Sequence, residues 1–385
     1  HNRLYGSRGD GGPLGAAQRR IYERALEANV DELAAVVRPG DVVLLHDPQT
    51  AGLAAAARRT GAVVVWRCHV GIDQPNDLVV QAWDWLRPYV EDVDGFVFSK
   101  RSFAPPWVDD DRLHVIAPSI DPFSAKNHEM QPDQAVDVLQ YVGLLAGEQS
   151  PEPATFVRRD GTPGRVDRHA DILQTGPAPP GDVPLVVQLS RWDKLKDMAG
   201  VMTGFAEHVD GTAGAHLVVA GPAVTGVADD PESAAVLQEC IQMWHTLPHA
   251  QRTRVHMACV PMRDTDEAAA IVNALQRHAS VVVQKSLAEG FGLTVAEAMW
   301  KRRPIVASAL GGIAEQIDDG MHGLLLPDPT DLAAYGQAVR RILTDEGLAA
   351  KLGANARRRA QEDFLPDRHL EQWAALLAQA VGGAR

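Results

Sequence analysis

A chain of 385 residues with 45% hydrophobic and 23% charged residues has ordinary globular composition, and its length fits two domains of about 100–200 residues each. A formal net charge of −13 speaks against general nucleic-acid binding, which needs a basic face to neutralise phosphates. No apolar run approaches the roughly 18 residues that cross a bilayer, so neither nucleic acid nor membrane is expected as a partner.

The chain starts at His1 without an initiator Met, which reads as a partial or trimmed product. Its opening stretch is polar and Gly-rich with no apolar h-region, so no secretory leader is expected. The first half carries short apolar strand candidates at Val42–His46, 63–69, 95–99 and 114–118. Four strands make a thin sheet, as a missing N-terminal portion would produce. Residues 147–164 are polar and rich in Pro and Gly and read as a surface insertion. Residues 174–184 (QTGPAPPGDVP) read as a linker. Strand candidates then follow at Leu185–Leu189, 216–220, 254–260, 280–284, 304–307 and 323–326. Helical patterns at 232–244, 264–278 and 332–343 alternate with them. This alternation predicts an α/β fold with parallel sheets covered by helices on both faces, whose ligands bind beyond the carboxyl ends of the strands. Near the end, Leu370, Trp373 and Leu377 are expected on one helical face. Cys68, Cys240 and Cys259 are odd in number and widely spaced, which gives neither a disulfide framework nor a zinc pattern and points to a reducing cytoplasm.

The chemistry concentrates in residues 286–300, SLAEGFGLTVAEAMW. An apolar strand precedes the segment, Gly290 and Gly292 allow close approach of backbone to a ligand, and the residues from Leu293 onward favour a helix. The first N–H groups of that helix lack internal partners, and with the helix dipole they favour an anion such as a diphosphate. Glu289 and Glu297 can flank this seat and accept hydrogen bonds from adjacent hydroxyls, as sugar recognition requires. A Gly-rich turn before a core helix, with two solvated glutamates, fits the spacing equally well. A second group, LSRWDKLK at 189–196, places Arg191 and Lys196 just after a strand, where two cations could hold a diphosphate leaving group. Taken alone, they read more readily as two surface charges. In the first half, LHDPQ (45–49) and WRCHV (66–70) put Asp47, Arg67 and His69 at strand ends, with Arg67 and His69 on one face. Each alone could be a satisfied structural group.

The segment SLAEGFGLTVAEAMW resembles the E-x7-E signature of retaining glycosyltransferases of family 4, and the similarity continues through KRRPIVASALGGIAEQIDDGMHG (301–323). That resemblance implies the GT-B architecture, two facing Rossmann-like domains with a cleft between them. The expected division is 1–180 for an acceptor-side domain lacking its first strands and 181–365 for the nucleotide-sugar domain. Residues 366–385 are expected as a terminal helix packing back on the first domain. The resemblance assigns donor binding to Arg191, Lys196, Glu289, Gly290, Phe291, Gly292, Leu293 and Glu297, with Glu297 on the ribose hydroxyls and Glu289 on the donor sugar. LHDPQ, WRCHV and PSIDPFSAKN (118–127) further resemble the trehalose synthases. This implies that His69 lies beside the reacting sugar, that Asp47 and Arg67 hold an acceptor glucose, and that Asp121 lies near the hinge between domains. The catalytic set so implied is His69, Arg191, Lys196 and Glu289.

The implied reaction moves glucose from a nucleoside-diphosphate glucose, with ADP, UDP or GDP as the leaving group, to glucose. The product is α,α-trehalose, formed with retention by front-face attack. No metal or other cofactor is expected to be required, although Mg2+ could stimulate, and a homodimer is compatible with the sequence. Trehalose phosphorylases carry similar segments and form the nearest alternative. A non-catalytic sugar-nucleotide-binding protein is the alternative of another class, and the match at WRCH and LHDPQ argues against a sugar-nucleotide epimerase.

Overall fold

The computed structural model describes residues 1–7, 12–147, 153–209, 211–224 and 231–383. Among the described residues, strands β1 (Val42–His46), β2 (Val63–Cys68), β3 (Gly95–Phe98) and β4 (Leu113–Val115) form a parallel sheet in the order β1-β2-β3-β4. The run VVVWRC of β2 is buried throughout, as a central strand covered on both faces requires. Register sets His46 opposite Arg67, so the last residues of β1 and β2 emerge side by side at one end of the sheet. The helix Asp77–Val90 returns the chain over this sheet. Asn76 caps it by accepting from the N–H groups of Leu78 and Val79, which supplies two otherwise unpaired donors. The expected strand at 114–118 ends earlier, at Val115. Pro118 has no N–H for a ladder, and the chain there leaves the first sheet.

The remaining strands are β5 (Thr155–Val157), β6 (Pro163–Arg165), β7 (Asp171–Leu173), β8 (Leu185–Leu189), β9 (His216–Pro222), β10 (Val255–Val260), β11 (Val281–Gln284), β12 (Ile305–Ser308) and β13 (Leu324–Leu326). The second sheet runs β13-β12-β11-β8-β9-β10-β7, with only β7 antiparallel. β5 and β6 make a separate hairpin inside the predicted insertion, of which residues 148–152 lie outside the described residues.

Two features differ from expectation. Residues well before the boundary at 180 belong to the second core: the helix Pro132–Tyr141 buries Ala135, Val138 and Leu139 in one cluster with Leu185, Val187, Ile271 and Leu275. The strand β7 pairs with β10 before the linker begins. The apolar side chains of residues 120–145 find their largest apolar neighbour in the second sheet, and the chain crosses over as soon as β4 ends. The other difference is in the last helix, Pro366–Gly383, which packs on the first sheet through Leu376 with Val65, Val97 and Ile116 and through Trp373. Leu370 is 70% exposed and Leu377 37% exposed, so the buried stripe is turned by about one residue from the expected face. Leu376 meets Val65 of β2 and Val97 of β3, and Trp373 lies under Arg67 near the end of β2 and bonds His369. The last two residues of the predicted terminal segment lie outside the described ones.

The chain therefore passes between the two units twice, after β4 and before the last helix. The crossings are bonded to each other: Ile120 N–H donates to the Phe364 carbonyl (2.9 Å), and Arg368 donates to the carbonyls of Ala117 (2.9 Å) and Pro118 (3.1 Å). Asp121 sits immediately after the first crossing and accepts from the Phe123 N–H at 2.9 Å. Cys68 and Cys240 are buried and Cys259 half-buried, and none forms a disulfide.

Candidate active site

The donor side is built where β8 and β11 end next to each other. The chain leaves β8 through Ser190 and Arg191 and makes a short turn, Lys194–Lys196, capped by Asp193. Asp197 follows in a left-handed conformation (φ 47°) and caps the next helix through Gly200 N–H. The fully buried Lys285, which leaves the end of β11, bonds the Asp197 carboxylate and the Pro329 carbonyl. Gln188 donates to the Lys196 carbonyl at 2.7 Å, and Leu287 N–H donates to the Leu195 carbonyl at 2.8 Å. This lattice fixes the turn so that Lys196 Nζ lies 2.7 Å from Glu289 Oε2. Ser286 Oγ also donates to that oxygen at 3.2 Å.

Neither glutamate of 286–300 is solvated. The side chain of Glu289 is 11% exposed and that of Glu297 7% exposed, which removes the plainer alternative that spacing left open. Gly292, at φ 87°, caps the helix Leu293–Trp300, a backbone state that strains residues with a Cβ. Phe291 is buried against Phe364 with ring centroids 5.8 Å apart, so it anchors the loop from behind. Leu293 is 45% exposed. Arg191 is exposed and bonded to Asp193 at 2.9 Å. It lines a cavity of about 330 Å³ together with Pro222, Val260, Met262, Lys126 and Glu297.

The acceptor side comes from the ends of β1 and β2. Asp47, also left-handed (φ 62°), turns its carboxylate back to accept the His69 N–H at 2.7 Å. Arg67 Nε donates to His69 Nε2 at 3.0 Å, and its NH2 donates to the Ile116 carbonyl at 3.1 Å. Its guanidinium lies over Trp373 of the last helix, 5.4 Å from the ring centroid. Arg67 is 2% exposed. It therefore stands behind His69 and is bonded to its imidazole, with one guanidinium nitrogen, Nη1, buried and unpartnered. Burial, and then the Arg67 charge, push the His69 imidazole down to about 4, with the neighbouring His46 and His369 adding to the effect. Burial also draws the Arg67 guanidinium down to about 10.

The two sides touch at Gly290. A Cβ there would lie 2.7 Å from the His69 carbonyl oxygen and 2.9 Å from the Tyr5 hydroxyl. Gly311 and Gly312, which follow β12, support this contact: Gly312 N–H donates to the Gly290 carbonyl at 2.8 Å, and a Cβ on Gly311 would collide with the Glu289 carbonyl oxygen. The structure thus brings Asp47, His69, Lys196, Glu289 and Gly290 to one place, with Glu297 and Arg191 around the adjoining cavity.

Several residues of this region lie outside the expected site set. His46 Nδ1 lies 3.2 Å from His69 Nε2, with the rings stacked. Tyr5 is carried by a short turn, Asn2–Tyr5, anchored by the buried Leu4, and burial with the nearby Glu289 charge raises its phenol. Asp73 accepts from Gly311 N–H at 3.0 Å and pairs with Lys100 at 2.7 Å, while Lys100 also reaches Glu315 at 3.2 Å. Lys126 pairs with Glu297 at 2.9 Å. Its segment, 118–127, falls within the expected domain 1–180, yet residues 125–128 are bonded to the second unit through Asn273, Trp300 and Lys301.

Residues 1–105 match the family described as trehalose synthase, N-terminal domain, and residues 263–359 match the glycosyl transferases group 1 family. The trehalose synthase of Rubrobacter xylanophilus is 31% identical over 385 residues, covering 99% of this chain and 79% of that protein. The trehalose synthase of Thermococcus litoralis is 28% identical over 377 residues, covering 98% and 78%. Among solved structures, the sucrose-phosphate synthase of Thermosynechococcus elongatus superposes with a TM-score of 0.67 at 19% identity, covering 98% of this chain and 83% of that one. The α,α-trehalose 6-phosphate synthase of Burkholderia multivorans gives 0.68 at 16%, covering 98% and 81%. These structural likenesses establish the fold, a GT-B arrangement of two facing α/β units.

Proposed function

This chain belongs to the trehalose synthase family of glycosyltransferases, and we propose that it moves glucose from a nucleoside-diphosphate glucose to free glucose, with retention, giving α,α-trehalose. The observation that carries this reading is the meeting of the two motif sets at Gly290. The donor loop bearing Glu289 lies directly on the carbonyl of His69, so an acceptor held at the ends of β1 and β2 would face the anomeric carbon of a sugar held by Glu289.

In this reading the diphosphate sits between Arg191, Lys196 and the first turn of the helix Leu293–Trp300. Leaving-group charge is met there by two cations and backbone N–H groups that are already in place, the arrangement that lowers a transition state most effectively. These groups do the electrostatic work, and transfer does not require a bound metal, so the reaction should continue in the presence of a chelator even if Mg2+ stimulates it. Glu289 holds Lys196 at 2.7 Å and orients the donor sugar. It does not form a bond to the sugar: the departing phosphate oxygen takes the proton of the acceptor hydroxyl on the same face, while the acceptor oxygen bonds to the anomeric carbon. A glucosyl ester trapped on Glu289 would overturn front-face attack. The neutral His69 imidazole, backed by Arg67, contributes its polar edge to the sugar.

The deciding experiment incubates the enzyme with glucose and, separately, ADP-, UDP- and GDP-glucose or glucose 1-phosphate, with the product identified by NMR. An α,α-linked disaccharide from a nucleotide donor is expected. Turnover only with glucose 1-phosphate identifies a phosphorylase, a β-linked product overturns retention, and nucleotide binding without any disaccharide identifies a binding protein.

A further inference from the structure

Lys126 is held where it is by the donor unit. Asn273 Nδ2 donates to the carbonyls of Ala125 (3.1 Å) and His128 (2.9 Å). Trp300 Nε1 and Arg277 donate to the Asn127 carbonyl (3.0 and 3.2 Å), and the buried Lys301 donates to the Asn127 side chain at 2.9 Å. The backbone on both sides of Lys126 is thereby fixed to the helices Thr265–His278 and Leu293–Trp300.

From that position its ammonium takes one oxygen of Glu297, Oε1, at 2.9 Å. The other oxygen, Oε2, is buried and has no hydrogen-bond partner. Glu297 is 5% exposed, and it shares the lining of the 330 Å³ cavity with Lys126. A buried carboxylate oxygen without a donor is costly unless a ligand supplies one. The free oxygen accepts up to two hydrogen bonds, and an ammonium has three donors, of which Glu297 uses one.

We propose that Lys126 is a specificity-determining residue which, with Glu297, reads the donor's ribose hydroxyls from both sides. The hydroxyls donate to Glu297 Oε2, and one hydroxyl oxygen accepts from the Lys126 ammonium. Lys126 also restricts Glu297 to one orientation by occupying Oε1, so a sugar without vicinal hydroxyls leaves the buried Glu297 Oε2 unpaired. Discrimination of this kind is large where a built polar site meets an analogue lacking the hydroxyl. The inference rests on the nucleotide-sugar reading above.

The test compares binding of ADP and UDP with binding of their 2′,3′-dideoxy counterparts by calorimetry, for the unaltered protein, Lys126→Met and Lys126→Arg. The unaltered protein is expected to prefer the ribonucleotide by about tenfold or more, the worth of charge-assisted hydrogen bonds. In Lys126→Met that preference should shrink to about twofold, because affinity for the ribonucleotide falls while affinity for the dideoxy form hardly changes. Lys126→Arg, which keeps the charge, should restore part of it. Equal loss for both nucleotides in Lys126→Met, or an unchanged preference, would mean a purely structural lysine and overturn the proposal. Equal affinity of the unaltered protein for both forms would overturn it too, while leaving the nucleotide-sugar reading intact. Failure of the unaltered protein to bind either nucleotide would remove both.

Discussion

At the scale of single residues, the site works by making a few side chains answer to one another. Lys196 and Glu289 are both nearly enclosed, and the Glu289 Oε2 atom collects donors from Lys196 and Ser286. Lys196→Ala should therefore lower kcat by on the order of 10²–10³, the loss seen when one preorganised donor to a developing charge is removed. Far-UV dichroism should be unchanged, and steady-state kinetics with the preferred nucleotide-glucose measures the effect. His69 makes a second prediction. Its folded pKa near 4 lies below the ordinary 6.5, so between those values the unfolded chain takes the proton first. The stability this group contributes is complete above pH 6.5 and is lost as pH falls towards 4. Arg67→Met removes the donor to Nε2 and the nearest charge, and NMR titration should find the His69 transition moved up. Of these residues, Glu289, Glu297, Lys196, Asp47 and His69 are visible in the sequence because each sits in a short motif at a strand end. Tyr5 lies outside every motif, and His46 and Lys126 lie inside LHDPQ and PSIDPFSAKN with no local cue to their partners, which through-space packing sets: Lys126 lies 171 positions from Glu297 along the chain and 2.9 Å from it in space.

At the scale of elements, the glycine turns carry the geometry. Gly311 combines φ 54° with a Cβ position that collides with the Glu289 carbonyl oxygen, so Gly311→Ala should cost on the order of 3 kcal/mol or more and lower the melting temperature. Gly290→Ala differs in kind. Its Cβ would strike the His69 carbonyl at 2.7 Å and the Tyr5 hydroxyl at 2.9 Å, contacts made across a cleft. The cleft can open to relieve them, so the melting temperature should move little while kcat/KM falls by about tenfold or more. Elements were most legible where burial on both faces writes a β-branched run, as in β2, β8 and β11. Strand β7 has three residues, Asp171–Leu173, exposed or half-buried at the edge of its sheet. Nothing in so short a polar-edged segment separates it from the linker that follows. The last helix shows the same limit: its apolar residues announce a helix, but the stripe it buries is decided by Arg67 and the ends of β2 and β3.

At the scale of the molecule, the two units are joined across the cleft by a polar latch. Asp73 bonds Gly311 N–H, Lys100 and Ser102, and Lys100 extends to Glu315. Asp73→Asn should loosen it, raising KM and lowering kcat together by on the order of tenfold, as changes in closure commonly do. Small-angle scattering of the same variant should show a larger radius of gyration, and an unchanged radius would assign Asp73 a local role only. The units are also joined by the two crossings, after β4 and before the last helix, bonded to each other through Ile120, Phe364 and Arg368. A single connecting strand would allow the units to swing, twist and slide. A pair held side by side restricts twisting more and favours a hinge-like opening. A hinge of that kind would bring the units back along one arc at each closure. Reclosure after product leaves should follow a single exponential whose rate is set by solvent friction and the latch rather than by the number of orientations to be sampled.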